Sequence, residues 1–171
     1  MTEKTACLIG QRDFGNQQVL EVLLYFKIKS VIQKVIDEGY THFITAMDCR
    51  FDLLAVQALI EIKKTHPKIK IECAITYENM IKKRNDEDKQ EYERFINKCD
   101  TLTALTKKHT PESEFECCRY MIDKSSLSIV GYNDSENNKK EQMVVNYAKS
   151  KGVEIIKIKS RLTSIYISDV L

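Results

Sequence analysis

Apolar positions along the chain follow two rhythms that take turns. Short runs alternate or stay apolar, as buried strands do. Longer runs repeat every three to four residues, as helices with one buried face do. Residues 5–10 (TACLIG) make the first strand-like run. Val19, Leu23, Phe26, Val31, Val35 and Ile36 then mark a long amphipathic helix. Gly39 stops it, because glycine takes the left-handed cap at no steric cost. Residues 41–45 (THFIT) read as a central strand, and Phe51, Leu54, Ala55, Ala58, Leu59 and Ile62 as a second helix that His66-Pro67 ends. The alternation continues with a strand at 69–75 and a helix opened by Asp86, Glu87 and Asp88, acids that suit the positive end of the helix dipole. A strand at 100–105, a helix at 113–122 that Ser113 can cap, and a strand at 127–131 follow. Met143, Val144, Tyr147 and Ala148 mark the last helix, which Gly152 ends, and residues 153–158 the last strand.

Strands alternating regularly with helices predict an α/β protein: a three-layer Rossmann-like fold, its sheet mostly parallel, with helices on both faces. No linker, repeat or low-complexity segment interrupts the pattern, so residues 1–171 are expected to form one domain. Residues 160–171 carry Leu162, Ile165, Tyr166, Ile167 and Val170, too apolar for a solvated tail. They are expected to pack on the body or on a second subunit, which points to a homodimer or tetramer.

Composition narrows the function classes. The net charge of +2 is close to balanced, where a binder dominated by phosphate contacts along nucleic acid is more basic. No apolar run approaches bilayer length and the opening MTEKTACLIGQR lacks a signal-peptide core, so a cytoplasmic protein without membrane contact is expected. Cys7, Cys49, Cys73, Cys99, Cys117 and Cys118 show no CxxC spacing, and His42, His66 and His109 are scattered. Free buried thiols are the default for such a chain; neither a metal site nor a cofactor is expected.

The richest stretch is EGYTHFITAMDCRFD, residues 38–52. A strand there feeds a helix through a tight loop, the arrangement that offers backbone N–H groups to a phosphate or carboxylate. That loop contains no glycine, although close backbone approach to a phosphate usually needs one.

Several segments resemble the YpsA-like branch of the SLOG superfamily, whose relatives include DprA and the LOG phosphoribohydrolases. Gly10-Gln11-Arg12 resembles its GHR-type opening. Residues 38–63 follow its order of glycine, aromatic strand, loop, aspartate and amphipathic helix. Ala74-Ile75-Thr76-Tyr77-Glu78-Asn79 is similar to its IPYENQ segment, and His109-Thr110-Pro111 with Arg119-Tyr120-Met121-Ile122-Asp123-Lys124-Ser125 to its YTP and RNxYMVDxS stretches. The departures fall in the glycine loops. The family's SGxAxGxD reads Thr45-Ala46-Met47-Asp48-Cys49-Arg50-Phe51-Asp52, and its late GGT element falls where this chain has NDSENNKK, residues 133–140. The catalytic PGGxGTxxE of the LOG enzymes is absent, so no catalytic residue is carried over.

The resemblance implies a nucleotide-type pocket at the carboxyl edge of the sheet. Arg12, after the first strand, can hold a phosphate in a bidentate pair or simply sit in a surface ion pair. Asp52 can accept a ribose hydroxyl or merely stabilise its helix start, worth about 0.5–1 kcal/mol. Arg50 can replace the charge of the lost glycine loop, offsetting Asp48, or be solvated. Tyr77 can stack on a base or pack into a turn. Thr45 and Asn79 can add hydrogen bonds, and Gly10, Ala46 and Met47 complete the expected ligand edge. Arg119 can reach a ligand or pair with Asp123 four residues on. Asn133 and Ser135 can stand in for the missing GGT or form an ordinary polar loop.

Three functions follow in order. The first is non-catalytic binding, for sensing or sequestration, of a nucleotide-derived small molecule such as an ADP-ribose-type or cyclic nucleotide signal. Its sharpest form is a phage-type sponge of host immune signals. The second is an interaction protein that kept the fold and lost its ligand. The third is a phosphoribohydrolase-like N-glycosidase.

Overall fold

The computed structural model describes residues 2–11, 18–133 and 139–159. The elements alternate as the pattern predicts: β1 (Lys4–Ile9), α1 (Gln18–Asp37), β2 (Tyr40–Thr45), α2 (Arg50–Lys63), β3 (Lys70–Tyr77), α3 (Asp86–Ile96), β4 (Thr101–Thr106), α4 (Ser113–Asp123), β5 (Leu127–Tyr132), α5 (Lys139–Ser150) and β6 (Glu154–Lys159). The strands form one sheet in the order β4-β3-β2-β1-β5-β6, and every pairing is parallel. This is the expected Rossmann-like three-layer arrangement. The chain runs outward from β1 to β4, then crosses back to lay β5 on the other side of β1. The switch point therefore lies between β1 and β5, at the carboxyl edge where open α/β sheets hold ligands.

Strand alternation sends side chains to two cores. Ala6, Leu8, Phe43, Leu127 and Ile129 face α1 and α2, while Cys7, Ile9, Ile44 and Val130 face α4 and α5. Helix α3 extends the first face, packing Tyr92 and Phe95 against Leu53 and Val56 of α2 and Cys73 and Ile75 of β3. Gly39 and Gly152 adopt positive φ, 93° and 68°, and end α1 and α5. The six cysteines are free, five of them buried. Burial pushes the Cys7 and Cys49 thiols up, and Cys118 to about 12, so these side chains act as small apolar groups. Among the described residues no helix is long and apolar enough to cross a membrane.

Two local expectations are corrected. The buried face of α1 is Leu24, Ile28, Ile32 and Val35, not the set containing Phe26, which is 52% exposed beside an equally open Val22. The sequence of α1 is apolar on more than one side, so its periodicity does not fix a single phase. Ser113 does not cap α4. Its hydroxyl oxygen accepts the Thr110 N–H at 2.8 Å, and Glu112 occupies the cap position.

Candidate functional site

The loop after β2 is closed by its own side chains. Cys49 is the N-cap of α2, and Asp52 sits three residues on, only 1% exposed. Its Oδ2 accepts the N–H groups of Asp48 at 3.1 Å and Cys49 at 3.3 Å. Its Oδ1 accepts the N–H of Gly10, at the end of β1, at 3.0 Å. One carboxylate thus ties together two loops that in this fold type usually face a ligand. Burial pushes Asp52 up to about 6, with the Asp48 carboxylate pushing the same way; Lys140 and the backbone N–H donors pull against both. Phe51 fills the crevice beside it. Its ring is fully buried, and a Cβ at Gly131 would lie 2.7 Å from it. A Cβ at Gly10 would lie 2.5 Å from the Cβ of Phe51. Gly10 and Gly131 are therefore needed where they stand so that this phenylalanine can seat against β1 and β5.

One strand further along the edge, the loop after β3 is open. A cavity of about 320 Å³ is lined by Asp48, Thr76, Tyr77, Met80, Lys83, Arg84, His109 and Glu114. Tyr77 closes β3 and meets His109 edge-on, ring centroids 5.5 Å apart at 75°. The Lys83 ammonium stands 5.3 Å from the Tyr77 ring centre. Arg84 lies over the Tyr92 ring at 3.8 Å and its Nη2 donates to the Met47 carbonyl at 3.2 Å. Its Nε is buried with no acceptor. Elsewhere in the lining, Asp48 and Glu114 share Lys140, whose ammonium is 3.9 Å from the first and 2.9 Å from the second. Burial alone would lower the Lys140 pKa, but the surrounding anionic groups, Asp52 and Glu114 among them, hold it above the ordinary lysine range. The cavity thus offers an aromatic corner, a pair of cations and a pair of carboxylates bridged by a lysine.

Against protein-family models, the chain matches YpsA, described as the YspA SLOG family, over residues 14–162. The chain belongs to the YpsA family of SLOG proteins. No curated protein matches the sequence.

Within this YpsA-family chain the expected site residues separate into groups. Tyr77 lines the cavity. Asp52 and Gly10 meet, but in a hydrogen bond to each other. Thr45 is fully buried and its hydroxyl donates to the Ala46 carbonyl. Ala46 belongs to the α4–α5 core and Met47 to the α3 core. Arg50 does not offset Asp48. It pairs with Glu21 of α1 and, at 3.1 Å, with Glu91 of α3, and the cation beside Asp48 is Lys140. Asn79 is exposed in the turn after β3, and Asn133 is buried at the end of β5. Arg119 is exposed on α4, over the rings of Phe115 and Tyr147, and Asp123 pairs with Tyr147 and Lys151 instead of with it. Arg12 and Ser135 lie outside the described residues.

Sequence inspection missed Lys83, Arg84, His109, Glu114 and Lys140 as site residues. His109 had a signal, since it sits in one of the family-like segments, and Lys83 and Arg84 follow another within a few residues. Lys140 closes the segment 133–140 that stands where the family has its GGT element, and Glu114 had no signal. The topology alone brings the first turns of α4 and α5 to the end of β2.

Proposed function

We propose that this YpsA-family protein binds a nucleotide-derived small molecule in the cavity at the ends of β2 and β3, as a sensor or a sequestering protein. The observation that carries the reading is the lining itself. An aromatic residue at a strand end, two cations with no carboxylate partner among the described residues, and two carboxylates converge on a space of about 320 Å³. That volume falls at the small end of the range for small-molecule sites, where a few convergent polar groups fix a ligand within an aromatic and apolar wall. Aromatic rings suit a base, carboxylates suit sugar hydroxyls, and cations suit phosphate.

A second reading, an N-glycosidase, is favoured by one observation: Glu114, a carboxylate of the kind such chemistry requires, lies in the lining. One experiment separates the readings. Purified protein is screened by thermal shift against nucleoside monophosphates, ADP-ribose, NAD and cyclic dinucleotides, and any stabilising ligand is recovered and chromatographed. A rise in melting temperature with the ligand returned intact is the expected result, because a ligand of the native state alone stabilises it. Release of free base identifies the enzyme. A flat panel contradicts both readings and favours a protein that works through partners.

A further inference from the structure

We infer that the cavity takes a nucleotide bearing a single phosphate group, and that Lys83 and Arg84, in the loop after β3, hold that phosphate. The inference rests on the cavity being the ligand site.

Charge pairing together with burial in this cavity points to these two residues, Arg84 first. Arg50, Lys63, Lys140 and Lys157 each lie within ion-pair distance of a carboxylate. Lys83 and Arg84 line a cavity, and no carboxylate among the described residues pairs with either. For an exposed lysine that is ordinary. For a half-buried arginine it is not, because a guanidinium taken partly out of water without a counter-ion is costly. Arg84 is also fixed in orientation. Its plane lies on Tyr92 and one nitrogen donates to Met47, while Nε stays buried and unpartnered. Five N–H donors on a flat fork, most of them unused, match two oxygens of one phosphate. Lys83 stands over Tyr77 on the same lining and is exposed, so its flexible stem can bring a second cation to that phosphate.

The limit to one phosphate comes from the rest of the lining. Asp48 and Glu114 occupy it, and their shared cation, Lys140, already sits between them. A second phosphate would meet two carboxylates whose counter-charge is engaged. Sugar hydroxyls meet them as donors. The Asp48, Cys49 and Gly10 N–H groups, which would otherwise serve an anion, are taken by Asp52.

The test is isothermal titration of the full chain with adenosine, guanosine, cytidine and uridine, their 5′-monophosphates and 5′-diphosphates, and ADP-ribose. The expected result is that at least one monophosphate binds about tenfold or more tighter than both its nucleoside and its diphosphate. Arg84→Lys should remove most of that advantage and Lys83→Ala about threefold of it. Lys83 is exposed, so Lys83→Ala decides the matter should Arg84→Lys not fold. Equal binding of nucleoside and monophosphate overturns the phosphate assignment while the cavity reading stands. Tighter binding of a diphosphate or of ADP-ribose overturns the one-phosphate limit. No binding by any member overturns this inference, and a flat thermal-shift panel beside it overturns the cavity reading as well.

Discussion

The loops after β2 and β3 are neighbours on the same edge of the same sheet, and they have been built to opposite ends. After β2, a buried carboxylate takes three backbone N–H groups and a phenylalanine fills the space against two glycines. After β3, an arginine beside a cavity is oriented by stacking and one hydrogen bond and has no counter-ion among the described residues. The first loop has the backbone form of a phosphate site and its donors are already satisfied. The second lacks any recognised phosphate loop and keeps its charge available. Binding capacity follows unsatisfied groups, not the shape of the backbone alone.

The closed side should be the more sensitive to substitution. Phe51→Ala is expected to cost about 3–5 kcal/mol, since it empties a fully buried aromatic site. The melting temperature should drop by roughly 10 °C. Gly131→Ala should cost about 1–3 kcal/mol through its clash with the Phe51 ring, and much less when Phe51 is already alanine. Additive costs in that double-mutant cycle would mean the ring is not what requires the glycine.

Asp52→Ala leaves three N–H groups without their acceptor and is expected to cost about 2–4 kcal/mol by urea unfolding. The same carboxyl gives the fold a pH dependence. Its folded pKa, about 6, lies above the unfolded value of 3.8, so the folded state binds the proton more tightly. The contribution is full below pH 4 and is lost as pH rises through 6, on the order of 2–3 kcal/mol. Measured as the difference in unfolding free energy between wild type and Asp52→Asn, stability should fall across that window and level off above pH 7. A difference that rises with pH would show that the backbone donors outweigh burial.

On the open side, stability should barely respond while binding does. Tyr77→Ala is expected to weaken a bound mononucleotide about tenfold, or about 1.4 kcal/mol. Arg50→Ala is the contrasting control. Its ion pairs with Glu21 and Glu91 are only partly buried, so the loss should be about 1 kcal/mol or less, with ligand affinity unchanged. A large loss of affinity there would return the ligand to the loop after β2.

The order of strands and helices was legible because apolar period changes cleanly between elements, and Gly39 and Gly152 mark helix ends with positive φ. The face of α1 was not, because Val22 and Phe26 lie on one side of the helix and Leu24 and Ile28 on the other, so the apolar period admits two phases. At the site, Asp52 was readable as a helix-start acid through its bonds to Asp48 and Cys49, but its bond to Gly10 spans 42 residues and has no local trace. Arg50 looked like a ligand arginine in sequence, and only the packing of α1 and α3 against α2 reveals its two glutamates. Lys83, Arg84 and Glu114 carry no motif spacing. They become a site through the parallel order of β2, β3 and β4 and the return of α4 to the end of β3.

The central claim is that the ligand sits in the cavity beside the loop after β3 and does not take the backbone donors of the loop after β2. Its most direct test is mapping of backbone amide shifts during titration with the tightest-binding monophosphate. The account predicts that the amides of Tyr77, Lys83, Arg84 and His109 move while those of Gly10 and Cys49 stay in place, held by Asp52. Largest shifts at Gly10 and Cys49 would mean that the ligand displaces the Asp52 carboxylate, and would contradict it.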